Sequence, residues 1–298
     1  MTYRMLFDVS SLMYRGFFAL PPTMKDDGGR SINAVHGYLD MTGYLIGRYR
    51  PDETVHVYDH DWRPAARVAL YEGYKSKRLP DPPDLPQQFD MLREVLDAMG
   101  EAQAETIDWE AEDAIAAIAA RATPGSGDRA DAVTGDRDLI QMVRDPEVRV
   151  LFIGAGVRKT VEYDEATVQQ KYGVAPSRYG DMAILRGDPS DSLPGVPGVG
   201  EKTAVALVNA YGSLDELLDA AEARALTKGP ANRSPKLVAN LRASADYIRT
   251  MQKIVPMRAD LAPVEWRKPR DDDLVDELAE RHKLKGAIER FSDALDLT

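Results

Sequence analysis

Nine carboxylates stand where a metal site would need them. Asp8 closes one apolar run and Asp59 another. Glu110, Glu112 and Asp113 open a helical pattern after a third run, Asp136 and Asp138 follow a fourth, and Asp188 and Asp191 flank a Pro-Ser turn. Side chains that share a site on an open parallel sheet gather at the carboxyl ends of its strands. Each acid alone has a plainer explanation: Glu110 and Asp113 in a first helical turn meet the helix dipole favourably, and Asp136, Asp138 and Asp191 suit turns and caps. Taken together, four separate strand-end loops carry acid toward one edge. Carboxylates crowded in this way raise one another's pKa and cannot all ionise without cations. The pattern therefore predicts a site for two or more divalent metal ions. Cysteine is absent and the four histidines (His36, His56, His60, His282) form no ligand pair on a helix face, so the ligands are oxygens. Oxygen ligation suits Mg²⁺ or Mn²⁺. Two such ions about 4 Å apart serve in-line phosphodiester hydrolysis, one activating water and the other stabilising the leaving oxygen.

Two further stretches bear on the substrate. From Leu193 to Ala204 the chain reads Leu-Pro-Gly-Val-Pro-Gly-Val-Gly-Glu-Lys-Thr-Ala between two helical patterns. Lys202 lacks the spacing of a nucleotide-binding P-loop. The stretch reads instead as a helix–hairpin–helix, in which Gly198 and Gly200 let backbone N–H groups approach a DNA phosphate at a helix start. Between Trp62 and Arg78 lie Arg63, Arg67, Lys75, Lys77 and Arg78 against one acid, Glu72, with Trp62, Tyr71 and Tyr74 interleaved. Cations for phosphates and aromatic faces for bases suit single-stranded nucleic acid, although a solvated helix face has the same composition. Lys75 and Arg78, three apart, would share one face if the segment were helical.

These residues need a scaffold. In the first half, short apolar runs alternate with helical patterns, which predicts an α/β fold with a mostly parallel sheet flanked by helices. Strands are expected at Arg4–Val9, Glu53–Asp59, Ala104–Asp108, Asp131–Thr134 and Val148–Ile153, with an edge piece at Lys159–Glu162. Helices are expected at Ser31–Tyr49, Pro86–Met99, Glu110–Ala122 and Asp138–Val143. Beyond about Asp164 the strands stop and helical spacing takes over, through Ala166–Tyr172, Tyr179–Leu185, Lys202–Tyr211, Leu214–Ala221, Ser234–Met251 and Asp273–Phe291. The division drawn is an α/β core over 1–164, with the basic and aromatic segment at about 62–90, and a helical DNA-binding region over 165–298 that holds the hairpin at 181–212.

The 298 residues carry a net charge of −11, which ordinarily argues against nucleic acid. Nine of the 49 acids are the clustered ones, and the other 40 nearly balance the 38 lysines and arginines. No apolar run is long enough to span a bilayer. Asp8 breaks the N-terminal apolar stretch, which argues against a secretory signal. With no cysteine to form disulfides, the expected location is cytoplasmic.

The chain resembles the 5′-nuclease (flap endonuclease) domain found at the N-terminus of bacterial DNA polymerase I and in free-standing homologues. The resemblance covers roughly residues 3–260 and rests on five motifs in the family's order. They are Leu6-Phe7-Asp8-Val9-Ser10-Ser11-Leu12-Met13-Tyr14-Arg15, Tyr71-Glu72-Gly73-Tyr74-Lys75-Ser76-Lys77-Arg78, Glu110-Ala111-Glu112-Asp113, Thr134-Gly135-Asp136-Arg137-Asp138-Leu139, and Gly187 through Gly195. It implies that the nine acids are the metal ligands. Arg15, Arg67, Tyr74, Lys75 and Arg78 would match the basic and aromatic residues of the family's helical arch and scissile-phosphate region. Gly195, Gly198, Gly200, Lys202 and Thr203 would fall in its helix–three-turn–helix element, which grips duplex DNA and binds K⁺ through backbone carbonyls. Glu112 stands where the family usually has Asp, Ser192 replaces the usual Asn, and His60 to Ala66 departs from the family pattern.

The function expected is a stand-alone, structure-dependent 5′-nuclease. It would cut DNA near the junction of a 5′ flap and duplex, and also RNA primer segments, in primer removal and repair. An aspartyl-phosphate phosphatase, suggested by Asp59-His60-Asp61, lacks the small or aliphatic pair needed after the second acid, where Trp62-Arg63 stands. A non-catalytic helix–hairpin–helix DNA-binding protein is the other alternative, and it leaves the acid set without a purpose.

Overall fold

The computed structural model describes residues 1–223 and 234–297. Strands β1 (Tyr3–Asp8), β2 (Glu53–Tyr58), β3 (Ala102–Glu105), β4 (Arg129–Thr134), β5 (Val148–Phe152), β6 (Val161–Tyr163) and β7 (Val264–Trp266) form one sheet in the order β6-β5-β4-β1-β2-β3-β7. The five central strands run parallel, and β6 and β7 close the two edges antiparallel. A parallel sheet covered on both faces needs strands that are apolar on both sides, and Met5, Leu6 and Phe7 of β1 are all fully buried. From β1 the chain adds strands first on one side, as β2 and β3, and then on the other, as β4 and β5. That reversal puts a crevice at the carboxyl ends of β1 and β4.

On one face lie α1 (Val9–Ala19), α2 (Asn33–Tyr49) and α4 (Pro86–Ala98), with α3 (Ala65–Leu70) between the last two in sequence. On the other, α5 (Ala111–Ala119) joins a helical region made of α6 (Glu165–Tyr172), α7 (Tyr179–Arg186), α8 (Glu201–Ala210), α9 (Leu214–Glu222), α10 (Pro235–Ala243) and α11 (Ala245–Ile254). The chain then returns to the first face through β7, α12 (Asp272–Arg281) and α13 (Lys285–Leu295). Among the described residues, no helix is long and apolar enough to cross a membrane.

The structure corrects several expectations. Strands do not stop at Asp164, because β7 pairs with β3; a strand of three residues is too short for its alternation to be read. The segment after β7 does not belong with the helical region, since Leu278, Ile288 and Phe291 pack with Met5 and Phe7 in the core beneath α1 and α2. Asp138–Val143 is a 3-10 turn over Asp138–Met142. The Ser234–Met251 pattern is broken at Ser244, which ends α10 and starts α11. The arch segment is mostly turn: α3 spans six residues, and turns run on through Lys75, which holds a left-handed φ of 49°. Lys75 and Arg78 therefore do not share a helical face.

Candidate active site

The carboxyl ends of β1, β2 and β4 open onto a cleft of about 280 Å³ lined by Asp8, Asp59, Glu110, Glu112 and Asp136, with Lys75 and Arg78 facing them. Each acid is fixed by its neighbours. One Asp8 oxygen accepts from the Ser11 N–H (3.1 Å), capping α1, and the other from the Thr134 hydroxyl (2.6 Å). The Thr134 oxygen accepts in turn from the Asp136 N–H (2.8 Å), tying β1 to the loop after β4. Asp59 accepts from the Ala111 N–H (2.8 Å) at the start of α5 and from the Ser10 hydroxyl. Asp136 accepts from the Asp138 N–H (2.9 Å).

The remaining acids arrive from the helical region. Between α7 and α8, Asp188 and Leu193 exchange backbone hydrogen bonds (2.9 and 2.7 Å), closing a tight loop. The Asp191 carbonyl accepts from the Lys75 N–H (3.0 Å), so this loop is pinned to the cleft wall. Ser192 has a φ of 60° and its hydroxyl accepts from the Lys77 N–H (3.2 Å). An Asn suits that left-handed backbone well; here Ser takes it and keeps a side-chain bond.

Electrostatics report the crowding. Burial and then the Asp59 and Asp136 charges push the Asp8 carboxyl up to about 7. Burial pushes Glu112 up to about 8 against the pull of Lys75 and Arg67, with Asp136 and Asp113 adding to the rise. Asp138 lies well above its ordinary value through burial and through Asp136, Glu112, Asp191 and Asp188. Asp191 is raised by burial, restrained by Lys75 and pushed further by Asp136 and Asp188. Asp136 thus acts on Asp8, Glu112, Asp138 and Asp191 alike. This all-oxygen donor set, short of positive charge, fits hard divalent cations, which would return every one of these acids to its ionised form.

Other expected residues are placed differently. Glu110, Glu112 and Asp113 do offer oxygens within 4.8 Å of one another. Asp113, however, is fully buried and already satisfied: Arg67 donates to both its oxygens (2.9 and 2.8 Å), and the Arg258 N–H donates to one (2.9 Å). It is a counter-ion and not an open ligand. Glu110 is held by Arg67, by the Tyr74 hydroxyl (2.7 Å) and by the Lys75 ammonium. Arg67, expected at DNA, is buried, and its Nε donates to the Ile254 carbonyl (3.1 Å). Tyr74 is buried too and offers no face for stacking. Arg63 braces the turn by donating to the Tyr74 and Glu72 carbonyls (2.6 and 2.7 Å). Arg15 leans over Gly135 and donates to the Gly154 carbonyl (2.7 Å). Ser10, Ser11 and Thr134, which position acids, escaped the sequence reading. Their signal was the pair of hydroxyls two and three residues after Asp8 at a strand end and the Thr two before Asp136.

In the hairpin the three glycines do different work. A Cβ on Gly195, at φ 69°, would sit 2.5 Å from the Arg186 carbonyl, so this glycine serves close backbone packing and not DNA approach. Gly198, at φ 80°, turns the chain. Gly200 caps α8 with open space around the position of a Cβ, and the exposed Lys202 follows it, with Thr203 half-buried.

A parallel sheet with an acid-lined cleft at its switch point, followed by a helix–hairpin–helix, is the build of a metal-dependent nuclease. The family model for the 5′-3′ exonuclease N-terminal resolvase-like domain matches residues 4–173, and that for the 5′-3′ exonuclease C-terminal SAM fold matches residues 174–272. A 5′-3′ exonuclease of Mycobacterium tuberculosis is 38% identical, over 98% of this chain and 97% of its own. DNA polymerase I of Mycobacterium leprae is 42% identical over 73% of this chain, which corresponds to 24% of that polymerase. Among solved structures, a bacteriophage T5 flap endonuclease in a pseudo-enzyme–product complex with DNA and metal ions shares the fold at a TM-score of 0.66 and 17% identity, over 99% of this chain and 98% of that one. The chain belongs to the 5′-3′ exonuclease family, and it is a nuclease.

Proposed function

We propose that the chain is a structure-dependent 5′-nuclease that hydrolyses DNA phosphodiesters near the junction of a 5′ flap and duplex and degrades duplex 5′ ends. The observation that carries this is the cleft at the β1/β4 crevice, where Asp136 acts on four other acids while Lys75 and Arg78 face them. The names of the mycobacterial and phage relatives support the same activity. Asp8, Asp59, Glu110, Glu112, Asp136, Asp138, Asp188 and Asp191 would hold Mg²⁺ or Mn²⁺, and hairpin carbonyls would hold K⁺. Divalent ions in such a set supply an activated water and neutralise charge on the leaving oxygen.

The protein's own groups do the rest. Ser10, Ser11 and Thr134 lock the orientations of Asp59 and Asp8. Lys75 enters the cleft as a buried cation between Glu110 and Asp191, and it exchanges a carboxylate for the scissile phosphate when the acids are otherwise neutralised. Arg78 approaches from the exposed side. The α8 N-terminus, with Gly200, Lys202 and Thr203, would meet a duplex phosphate through its free N–H groups and dipole. Primer removal and repair in the cytoplasm are the proposed setting, with RNA primer segments as further substrates.

The test is cleavage of a flapped duplex in Mn²⁺ by the wild type and by Asp136→Ala. Expected is release of 5′-phosphate fragments by the wild type and none by the variant, with duplex binding in Ca²⁺ retained. Equal cleavage by the two proteins would overturn the site assignment.

A further inference from the structure

The loop between α1 and α2 folds into a small hairpin. Lys25 and Ser31 pair antiparallel, the Asp26 N–H donates to the Arg30 carbonyl (2.9 Å), and the Ile32 N–H donates to the Met24 carbonyl (3.1 Å). The Asp26 carboxylate is fully buried, and it accepts from the Arg30 N–H (2.9 Å) and the Arg30 Nε (2.8 Å). A third contact comes from the far end of the chain. His282, in the turn between α12 and α13, sets its Nδ1 3.3 Å from Asp26 and 3.1 Å from the Arg30 guanidinium. His282 is buried too, and beside it the Lys283 ammonium pairs with Asp27 at 2.5 Å. A carboxylate taken out of water has to be paired and hydrogen-bonded, so the C-terminal helices complete the surroundings that this acid needs. Those helices carry none of the nine acids and, but for Asp272, lie beyond the last residue that either family model matches.

The hairpin leads back to the cleft. The Ser31 hydroxyl donates to Asp84 (3.1 Å). The buried Gln88, in the first turn of α4, donates to the Asn33 side chain (3.2 Å) and to the Asp84 carbonyl (3.0 Å), and it accepts from the Ala34 N–H (2.8 Å). The hairpin, the start of α2 and the start of α4 are thus fastened together. From this anchor the connector Leu79–Leu85 runs to the cleft, with φ fixed by Pro80, Pro82 and Pro83. Tyr14 of α1 donates to Asp81 along the way. A stiff connector passes on the position of its anchored end. Its other end follows directly on Arg78, which faces the acids.

We propose that the turn between α12 and α13 braces the cleft, with His282 and Asp26 as positioning residues that act on the reaction through Arg78. The inference rests on the proposed flap cleavage and adds to it a role for the C-terminal helices. It predicts a defect in rate and not in duplex binding, because α8 packs on the opposite face of the sheet.

The experiment measures single-turnover cleavage of a 5′-flapped duplex in Mn²⁺ at saturating enzyme, Kd for the same duplex in Ca²⁺, and Tm. Misplacing a group by about 1 Å from a distance can cost about 10²-fold, so His282→Ala should lower the rate by about tenfold or more with Kd unchanged. In an Arg78→Ala background the same substitution should cost little more, since the group it positions is already gone. Lys283→Asp leaves the core alone and sets two acids face to face at a left-handed φ of 53° that Asp accepts. It keeps the test open if His282→Ala fails to fold. Its rate should fall, and Lys283→Asp/Asp27→Lys, which restores the attraction, should recover it. Unchanged rates in both His282→Ala and Lys283→Asp, equal losses with and without Arg78, or no recovery in the charge swap would overturn the brace and leave the nuclease reading intact. Failure of wild type to cleave the flap in Mn²⁺ would sink both.

Discussion

Replacing Arg67 by methionine separates the structural account from the sequence expectation that placed this residue at DNA. Arg67 is 3% exposed, donates to both Asp113 oxygens, pairs with Glu110 and donates to the Ile254 carbonyl. It therefore joins three elements: the segment after β2, the start of α5 and the end of α11. In Arg67→Met, Asp113 would keep, among the described residues, only the Arg258 N–H as a partner in a fully buried place. Breaking a buried pair by removing one member typically costs about 3–5 kcal/mol. For a chain of this size each kcal/mol moves Tm by about 2–4 °C, so the fall should be about 6–20 °C. Thermal unfolding followed by circular dichroism, at neutral pH with metal fixed, reads this directly. The double variant Arg67→Met/Asp113→Leu should recover much of the loss, because both charges leave together. A phosphate contact behaves otherwise: its loss leaves Tm unchanged and lowers the slope of log affinity against log salt by about one. That pair of results would refute the buried-latch account.

The remaining predictions follow from the same geometry. The Asp8 and Glu112 carboxyls, raised to about 7 and about 8, hold protons in the fold that the unfolded chain releases from about pH 4 upward. Metal-free protein should therefore lose stability as pH rises from about 4 to 8, and saturating Mn²⁺ should flatten the slope and raise Tm; melts at pH 5 and pH 8 that ignore both pH and metal would count against a shared site. Lys75→Ala should lower single-turnover cleavage about 10²–10³-fold with a much smaller loss of flap binding, and wild-type turnover at saturating enzyme would remove Lys75 from the mechanism. Gly195→Ala should lower the urea midpoint, because its Cβ meets the Arg186 carbonyl at a left-handed φ, whereas Gly200→Ala, with open space around it, should keep the midpoint and weaken duplex binding. The reverse ranking would show that the hairpin glycines were assigned wrongly.

The acids at strand ends, the central parallel strands and the helix–hairpin–helix were all readable in the amino-acid sequence. Their signals are local: an apolar run ending in Asp8 or Asp59, an acid-rich first helical turn at Glu110–Asp113, and glycines between two helical patterns. Periodicity and turn chemistry act over a few residues, and so does the backbone geometry that they specify. What each charge meets is decided over far longer separations. Arg67 and Asp113 lie 46 residues apart, and Arg67 and Ile254 lie 187 apart. Nothing in the Trp62–Arg78 stretch distinguishes Arg67, which the fold buries, from Arg78, which it leaves exposed. The same holds for Tyr74, turned onto Glu110, and for β7, whose pairing with β3 brings the chain back after the whole helical region. The free energy of an ion depends on whether it keeps its water, and only the packing of distant elements determines which ions are desolvated. Composition and spacing therefore determined which residues could make the site, and tertiary packing decided which acids remain open to metal and which serve as counter-ions.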